Sequence, residues 1–591
     1  MSDAGKPQAV PFLWLAIAAC AAVAAPTLIA FNVPPSATFF NQAAAFIGWG
    51  GYLILLATCL PARIGPYSRE AGALLVALAL LACSALAASV FASVPWSLSL
   101  SSAGTIVAAV LAVAMAASAQ RAGFGEPAFR AFCVGLVVAG VGSTLIGLVQ
   151  VFAPHAADGT WIATAVVGRA TGNVRQPNHL SSLLLWSMVG AVWLGEVKVL
   201  DRRIAAVLLV AFVYVVFLSA SRTGALGMLT LAGWGYLDRR LSRQSRALLM
   251  LTPLIYAAMW GFHAAWGAHG NQVIGAQVRF GKGLDLATNR YDVWSNALSL
   301  IASHPWLGVG FGDFNFAWTL TPFPGRPNEF FDHTHNLVLN FIVEMGVPLA
   351  TLVLALMIYA LWQALRNAID EGRKAGAVRY PVQRAAFVIV FLVAVHSMLE
   401  YPLWYAYFLL PASFAFGLCL ERAVAGETAP EAHIDKRGNV TRPYVIAAML
   451  LILGGTLAVY DYMRVVVIFA PPAGAGSLEQ RIVDGRKSVL FGHHADYAAA
   501  TVTEHPGAVM AAFRRAPHYL LDSRLLIAWA RALDERGETD KARYVAARLK
   551  EFRNESADEF FAACGPRAAA SAPLPFQCEP PKKTYRFEDF R

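Results

Sequence analysis

The chain has 591 residues, 57% of them hydrophobic and only 14% charged, with a mean hydropathy of +0.52. Soluble proteins carry about 25% charged residues because their surfaces need them, so this composition excludes a soluble globular protein and reads as a membrane protein. The formal net charge of +10 does not mark a nucleic-acid binder, because Lys and Arg fall in short clusters between apolar runs, as topology-setting loops do.

About 20 apolar residues cross a bilayer core. Windows of that length predict thirteen spans, near 11–31, 40–60, 71–92, 103–119, 131–152, 178–197, 204–219, 224–237, 247–265, 336–364, 386–399, 403–420 and 443–460. The first is long for a signal-peptide core and lacks a cleavage site, so it counts as a span. With the N-terminus in the cytoplasm, the inside segments hold twenty-one Lys and Arg, against seven in the outside loops between spans: Arg169, Arg175, Arg222, Arg279, Lys282, Arg290 and Arg326. That asymmetry fits the positive-inside rule in one orientation only. The expected architecture is an all-α polytopic membrane protein. It has N-terminal transmembrane helices over 1–160, a functional core over 161–420 with a large outer loop at 266–335, a cytoplasmic linker at 421–442, a last span at 443–460, and an outer, small helical soluble tail at 461–591.

Cys20, Cys59, Cys83, Cys133 and Cys419 lie in apolar runs and read as small hydrophobes. Cys564 and Cys578 stand in the polar tail and are a candidate disulfide if that compartment is oxidising. No zinc spacing is present. Leu520 to Phe552 is patterned as a helical hairpin like one tetratricopeptide unit, turning at Gly537; one unit does not make an array. The end, from Ala568, is Ala- and Pro-rich and reads as irregular.

Three clusters that could carry chemistry fall on the outer face. The first, GRATGNVRQPNHLSS (168–182), offers Arg169 and Arg175 for anionic oxygens and Asn173, Gln176 and Asn178 for a sugar or phosphate, at a helix start favoured by Pro177. Its bland alternative is a capped helix entry. The second, SASRTG (219–224), reads as a tight turn at the membrane surface. Arg222 would be costly to desolvate there, on the order of 3 kcal/mol, so a phosphate is the sharper partner and a lipid headgroup the blander one. The third is the loop at 266–335, containing Arg290, the turn glycines Gly308, Gly310 and Gly312, and, at its end, His333, His335 and Asn336. A lone GxGxG without strand–helix context does not make a dinucleotide site. The HxH pair lacks a third ligand at metal spacing, with Asp332 a poor helper, so no metal is expected. A neutral imidazole suits general-base work while arginine forks hold a leaving diphosphate bidentately. Capping or a carbonyl bond is the alternative for either histidine. In HSMLEYPLWY (396–405), Glu400 is an isolated carboxylate that either orients His335 or pairs with an arginine.

Together, the SRTG turn, the large loop, the HxHN motif after it, RQPNHLSSLLL and HSMLEYPLWYAYF resemble the O-antigen ligase and O-oligosaccharyltransferase superfamily (the WaaL and PglL types), most of all the protein-glycosylating PglL type. The resemblance covers about 165–420 well, and the rest by layout. It implies a GT-C-like enzyme of the bacterial inner membrane with a periplasmic active site and C-terminus, needing no cofactor. Such an enzyme passes glycan from undecaprenyl diphosphate to Ser or Thr of a periplasmic or pilin-type protein, by inverting displacement. On that pattern His335 is the catalytic base, and Arg222 and Arg290 bind the donor diphosphate, with Arg175 and Arg279 as further candidates. Gln176, Asn178, His333, Asn336, Glu400 and Tyr401 fall at supporting motif positions. The rivals are an O-antigen ligase acting on lipid A–core, a glycan polymerase of the same superfamily, an anion transporter, which would carry ionisable residues at mid-span, and a scaffold recruiting partners by its tail.

Overall fold

A computed structural model of the chain describes residues 12–60, 66–165, 168–267, 285–374, 380–422, 441–565 and 574–591. Arg279 and most of the 421–442 linker lie outside the described residues. Among the described residues there is no β-strand, and a helix stands at each of the thirteen windows read from the sequence. These are α1 (Phe12–Leu28), α2 (Phe39–Cys59), α3 (Arg69–Phe91), α4 (Trp96–Arg121), α5 (Gly125–Phe152), α6 (Pro177–Glu196), α7 (Arg202–Leu218), α8 (Arg222–Leu237) and α9 (Arg243–Gly267). After the long loop come α12 (Leu337–Lys374), α13 (Val382–Ser397), α14 (Ala406–Leu420) and α15 (Thr441–Phe469), while the loop itself carries α10 (Asp285–Ser303) and α11 (Phe314–Leu320). Among the described residues, seven helices (α2, α3, α4, α5, α9, α12 and α15) are long and apolar enough to cross a bilayer. The chain is therefore a polytopic helical membrane protein.

Several helices outrun their apolar windows. The α4 helix starts at Trp96 rather than near 103, because its serines satisfy themselves: Ser101 Oγ donates to the Ser97 carbonyl and Thr105 Oγ1 to that of Ser101, both at 2.8 Å. The α6 helix is buried along nearly its whole length, which marks it as the central element. Its hydroxyls are spent on neighbours, Ser187 on the Leu136 carbonyl at 2.7 Å and Ser182 on His396 Nδ1 at 2.7 Å. Charges gather at helix ends. Asp238 pairs with Arg384 and accepts from Tyr380, and Glu196 holds Arg202 at 3.3 Å and Ser242 at 2.7 Å.

The segment after α10 crosses a kink in α12 as a backbone strap. Val309 N–H donates to the Val343 carbonyl (2.9 Å), Gly310 N–H to Glu344 (3.0 Å) and Val347 N–H to Pro305 (2.8 Å). Gly308 and Gly346 have φ of +69° and +76°, and a Cβ on Gly346 would lie 2.3 Å from the Trp306 carbonyl oxygen. Gly346→Ala is therefore expected to lower the thermal midpoint in detergent and to cut activity, whereas Gly325→Ala, with nothing within 4 Å of its Cβ, should leave the midpoint in place. Equal midpoints for both variants would contradict this role for the strap.

The tail folds as α16 (Leu478–Gly485), α17 (Gly492–Val502), α18 (Ala516–Tyr519), α19 (Ser523–Glu535), α20 (Thr539–Glu551) and α21 (Glu555–Phe561). As the pattern suggested, α19 and α20 form a hairpin turning at Gly537, φ +80°. Cys564 and Cys578 are disulfide-bonded, with Cα atoms 5.3 Å apart. The described end, 574–591, is not free coil: it forms two 3₁₀ turns and buries Phe587 and Phe590. Nor does the tail stand alone. Its core is shared with the long loop, Phe314, Phe316, Trp318 and Phe331 packing with Leu525, Trp529, Leu549 and Phe552. Buried Asp313 holds His518 Nδ1 at 2.7 Å and Arg591 at 3.2 Å. Arg326, one of the six arginines read as lying in outer loops, is a structural staple, 1% exposed, bonded to Glu551 at 2.9 Å and stacked between the Trp318 and Phe552 rings.

Candidate active site

The three clusters meet at one end of the bundle, around Glu400 in the α13–α14 turn. Arg290 Nη2 donates to Glu400 Oε1 at 2.6 Å, Asn178 Nδ2 donates to the same oxygen at 3.1 Å, and His335 Nε2 lies 3.5 Å from Oε2. The Asn178 oxygen accepts from Ser221 Oγ at 2.6 Å. Ser221 in turn caps α8, accepting the Gly224 N–H at 2.9 Å. Arg222 follows directly as the first residue of α8, half-buried. Glu400 thus takes both of the roles between which the sequence left it open: it pairs with an arginine and contacts His335.

The histidine segment is held on every side. Thr334 N–H donates to Asn340 Oδ1 (3.0 Å), the Thr334 carbonyl accepts from Trp294 Nε1 (2.9 Å), and Asn336 Oδ1 caps α12 by accepting from Val338 and Leu339 (3.1 Å each). His335 sits in the left-handed region at φ +54°, a conformation that costs a non-glycine residue of order 1–3 kcal/mol and clusters at functional sites. His333 is buried against Tyr401, its Nδ1 spent on Asp332, and it stacks on His335 with ring centroids 4.6 Å apart. His335 Nδ1 lies 3.4 Å from the His333 carbonyl. Burial, then His333 and Arg290, push the His335 imidazole down to about 3. The Glu400 charge is already matched by Arg290, so it orients the ring rather than protonating it. At neutral pH the His335 imidazole is therefore uncharged.

Other candidates do structural work. Gln176 is the cap of α6, its Oε1 accepting from His179 N–H at 2.7 Å, which is the bland reading of that position. Arg175, at φ +59°, turns to the Ala30 carbonyl at 2.6 Å and is not tied to the Glu400 network. Arg169 grips the Ser219 carbonyl at 2.9 and 3.1 Å, joining the first cluster to the second. Sequence reasoning missed Ser221 as the link between Asn178 and α8; its signal was a serine before an arginine and a glycine at a helix start.

Beneath the network lies an apolar cavity of about 530 Å3 between α3, α4, α12, α13 and α14. Leu78, Ile106, Phe341 and Met357 line its body, while Leu337 and Met398, within three residues of His335 and Glu400, line its upper end.

Comparison with known proteins agrees with the motif resemblance. Residues 206–354 match the O-antigen ligase family, 170–194 the protein glycosylation ligase family, and 384–560 the family described as virulence factor membrane-bound polymerase, C-terminal. The last match extends similarity through α15 into the tail. The chain is 26% identical over 292 residues to a general O-oligosaccharyltransferase of Acinetobacter baylyi, covering 48% of this chain and 49% of the relative. It is 23% identical over 259 residues to a ComP-specific O-oligosaccharyltransferase of the same organism, covering 42% and 44%. The matches span about half the length of these curated relatives. By these comparisons the chain resembles the O-antigen ligase and O-oligosaccharyltransferase superfamily, with the protein-glycosylating type the better represented.

Proposed function

We propose that the protein is a glycosyltransferase of the bacterial inner membrane that moves a glycan from undecaprenyl diphosphate to Ser or Thr hydroxyls of periplasmic or pilin-type proteins. All thirteen helices then span the bilayer, with the site, the 266–335 loop and the tail on the periplasmic side. The observation that carries this reading is the convergence of His335 and Arg290 on Glu400 at the mouth of an apolar cavity. The cavity suits a polyprenyl tail and the arginines Arg290 and Arg222 suit its diphosphate.

In the reaction the acceptor hydroxyl oxygen forms a bond to the anomeric carbon as the bond from that carbon to the phosphate oxygen breaks. The hydroxyl proton passes to His335 Nε2, and the electron pair leaves with undecaprenyl diphosphate. Glu400 keeps the ring oriented as it takes the proton, and the arginines offset charge developing on the phosphate. The displacement inverts the anomeric centre and calls on no metal.

The test is purified protein with an undecaprenyl-diphosphate oligosaccharide and a pilin-derived peptide. Glycosylated peptide by mass spectrometry is the expected result. Transfer only to lipid A–core would favour the second reading, an O-antigen ligase, which the match over 206–354 also supports. Transfer to neither would overturn both.

A further inference from the structure

Opposite the apolar cavity, two exposed side chains stand among buried neighbours. Asp332, beside the paired histidine segment, has its side chain 66% exposed although Phe331 and His333 on either side of it are buried. Tyr519, at the end of α18 in the tail, is 42% exposed between buried His518 and the buried Leu521. Hydrogen bonds hold these two segments side by side. The buried Asn315 amide accepts from the Leu521 N–H at 3.0 Å and donates to the Phe331 carbonyl at 2.9 Å, and His518 is locked to Asp313 at 2.7 Å. Behind Tyr519, the rings of His493 and His494 pack at centroid distances of 4.3 and 4.7 Å, fixing its plane.

Resting on the glycosyl-transfer reading, we propose that the surface presented by Asp332 and Tyr519 is a glycan-binding subsite, through which the tail holds the sugars of the donor beyond the one at the reaction centre. Geometry favours a glycan over the acceptor chain. With the lipid in the apolar cavity and the diphosphate at Arg290, the sugars extend away from the cavity, toward the tail. An aromatic face takes the C–H face of a pyranose, and a carboxylate accepts its hydroxyls. Burial and the Asp332 carboxylate raise the Tyr519 phenol above its ordinary value, so it stays a hydroxyl that both donates and accepts.

The experiment compares two lipid-diphosphate donors, one carrying a single N-acetylhexosamine and one a tetrasaccharide built on it. For the full chain, Tyr519→Ala should reduce the preference in kcat/KM for the longer donor about tenfold, through KM for that donor, while Tyr519→Phe retains most of it. Equal proportional losses on both donors, or a change confined to KM for the acceptor peptide, would overturn the subsite. If Tyr519→Ala fails to fold, Tyr519→Leu keeps the bulk and removes the platform. A second arm needs no turnover: free tetrasaccharide should bind the wild-type protein and lose affinity with the Tyr519 variant, and equal binding by both rules the subsite out. A wild-type chain that binds tetrasaccharide but transfers neither glycan would instead count against the glycosyl-transfer reading alone.

Discussion

His335→Ala is expected to lower kcat by about 10²–10⁴-fold, the range that a positioned general base contributes, with the secondary structure and membrane insertion of the wild type. The pH dependence carries a second signature. A lowered imidazole keeps its basic form above about 3 and loses it as pH falls through that value, so the acidic limb of kcat/KM in the free enzyme should lie far below the ordinary histidine range. Bound diphosphate brings negative charge beside Arg290 and favours the imidazolium, so the acidic limb of kcat should lie above that of kcat/KM. Limbs in the opposite order, or unaltered turnover in the alanine variant, would remove His335 from the reaction.

The second large effect belongs to the Arg290–Glu400 pair. Arg290→Ala should cost about 10²–10³ in turnover, as loss of a donor to developing charge does, and should raise KM for the donor. It also takes from Glu400, whose side chain is 8% exposed, the guanidinium bonded to it at 2.6 Å. Glu400→Ala strands Arg290 and frees Asn178 and His335 together, so it should damage both the thermal midpoint and kcat. The double variant should regain part of the midpoint lost by either single change and none of the activity. Additive losses of midpoint would mean that the two side chains do not share an interaction.

Much of the bundle is legible in the sequence because apolar runs of bilayer length are long-range order written locally. Each of the thirteen windows coincides with a helix, and the errors lie at ends, where serines such as Ser97 and Ser101 continue a helix that a hydropathy window closes. That these residue types come together was legible in the sequence: arginines kept against the charge bias beside histidines and a lone carboxylate. Which arginine does what was not. Arg326 and Arg290 look alike in sequence, yet one is sealed between aromatic rings and the other faces a carboxylate 110 positions away. The merging of loop and tail was invisible for the same reason. His518 meets Asp313 across 205 positions, and no periodicity encodes such a pairing.

The single carboxylate of Glu400 collects partners from α6, α10 and the segment before α12, and through Asn178 from the start of α8. These pieces leave the ribosome up to 222 residues apart, and the last of them to emerge is the carboxylate itself. On the proposed reaction, competence is therefore a property of the finished assembly: a nascent chain that lacks the turn at 400 has neither the carboxylate that Arg290 and Asn178 share nor the contact at His335 Nε2.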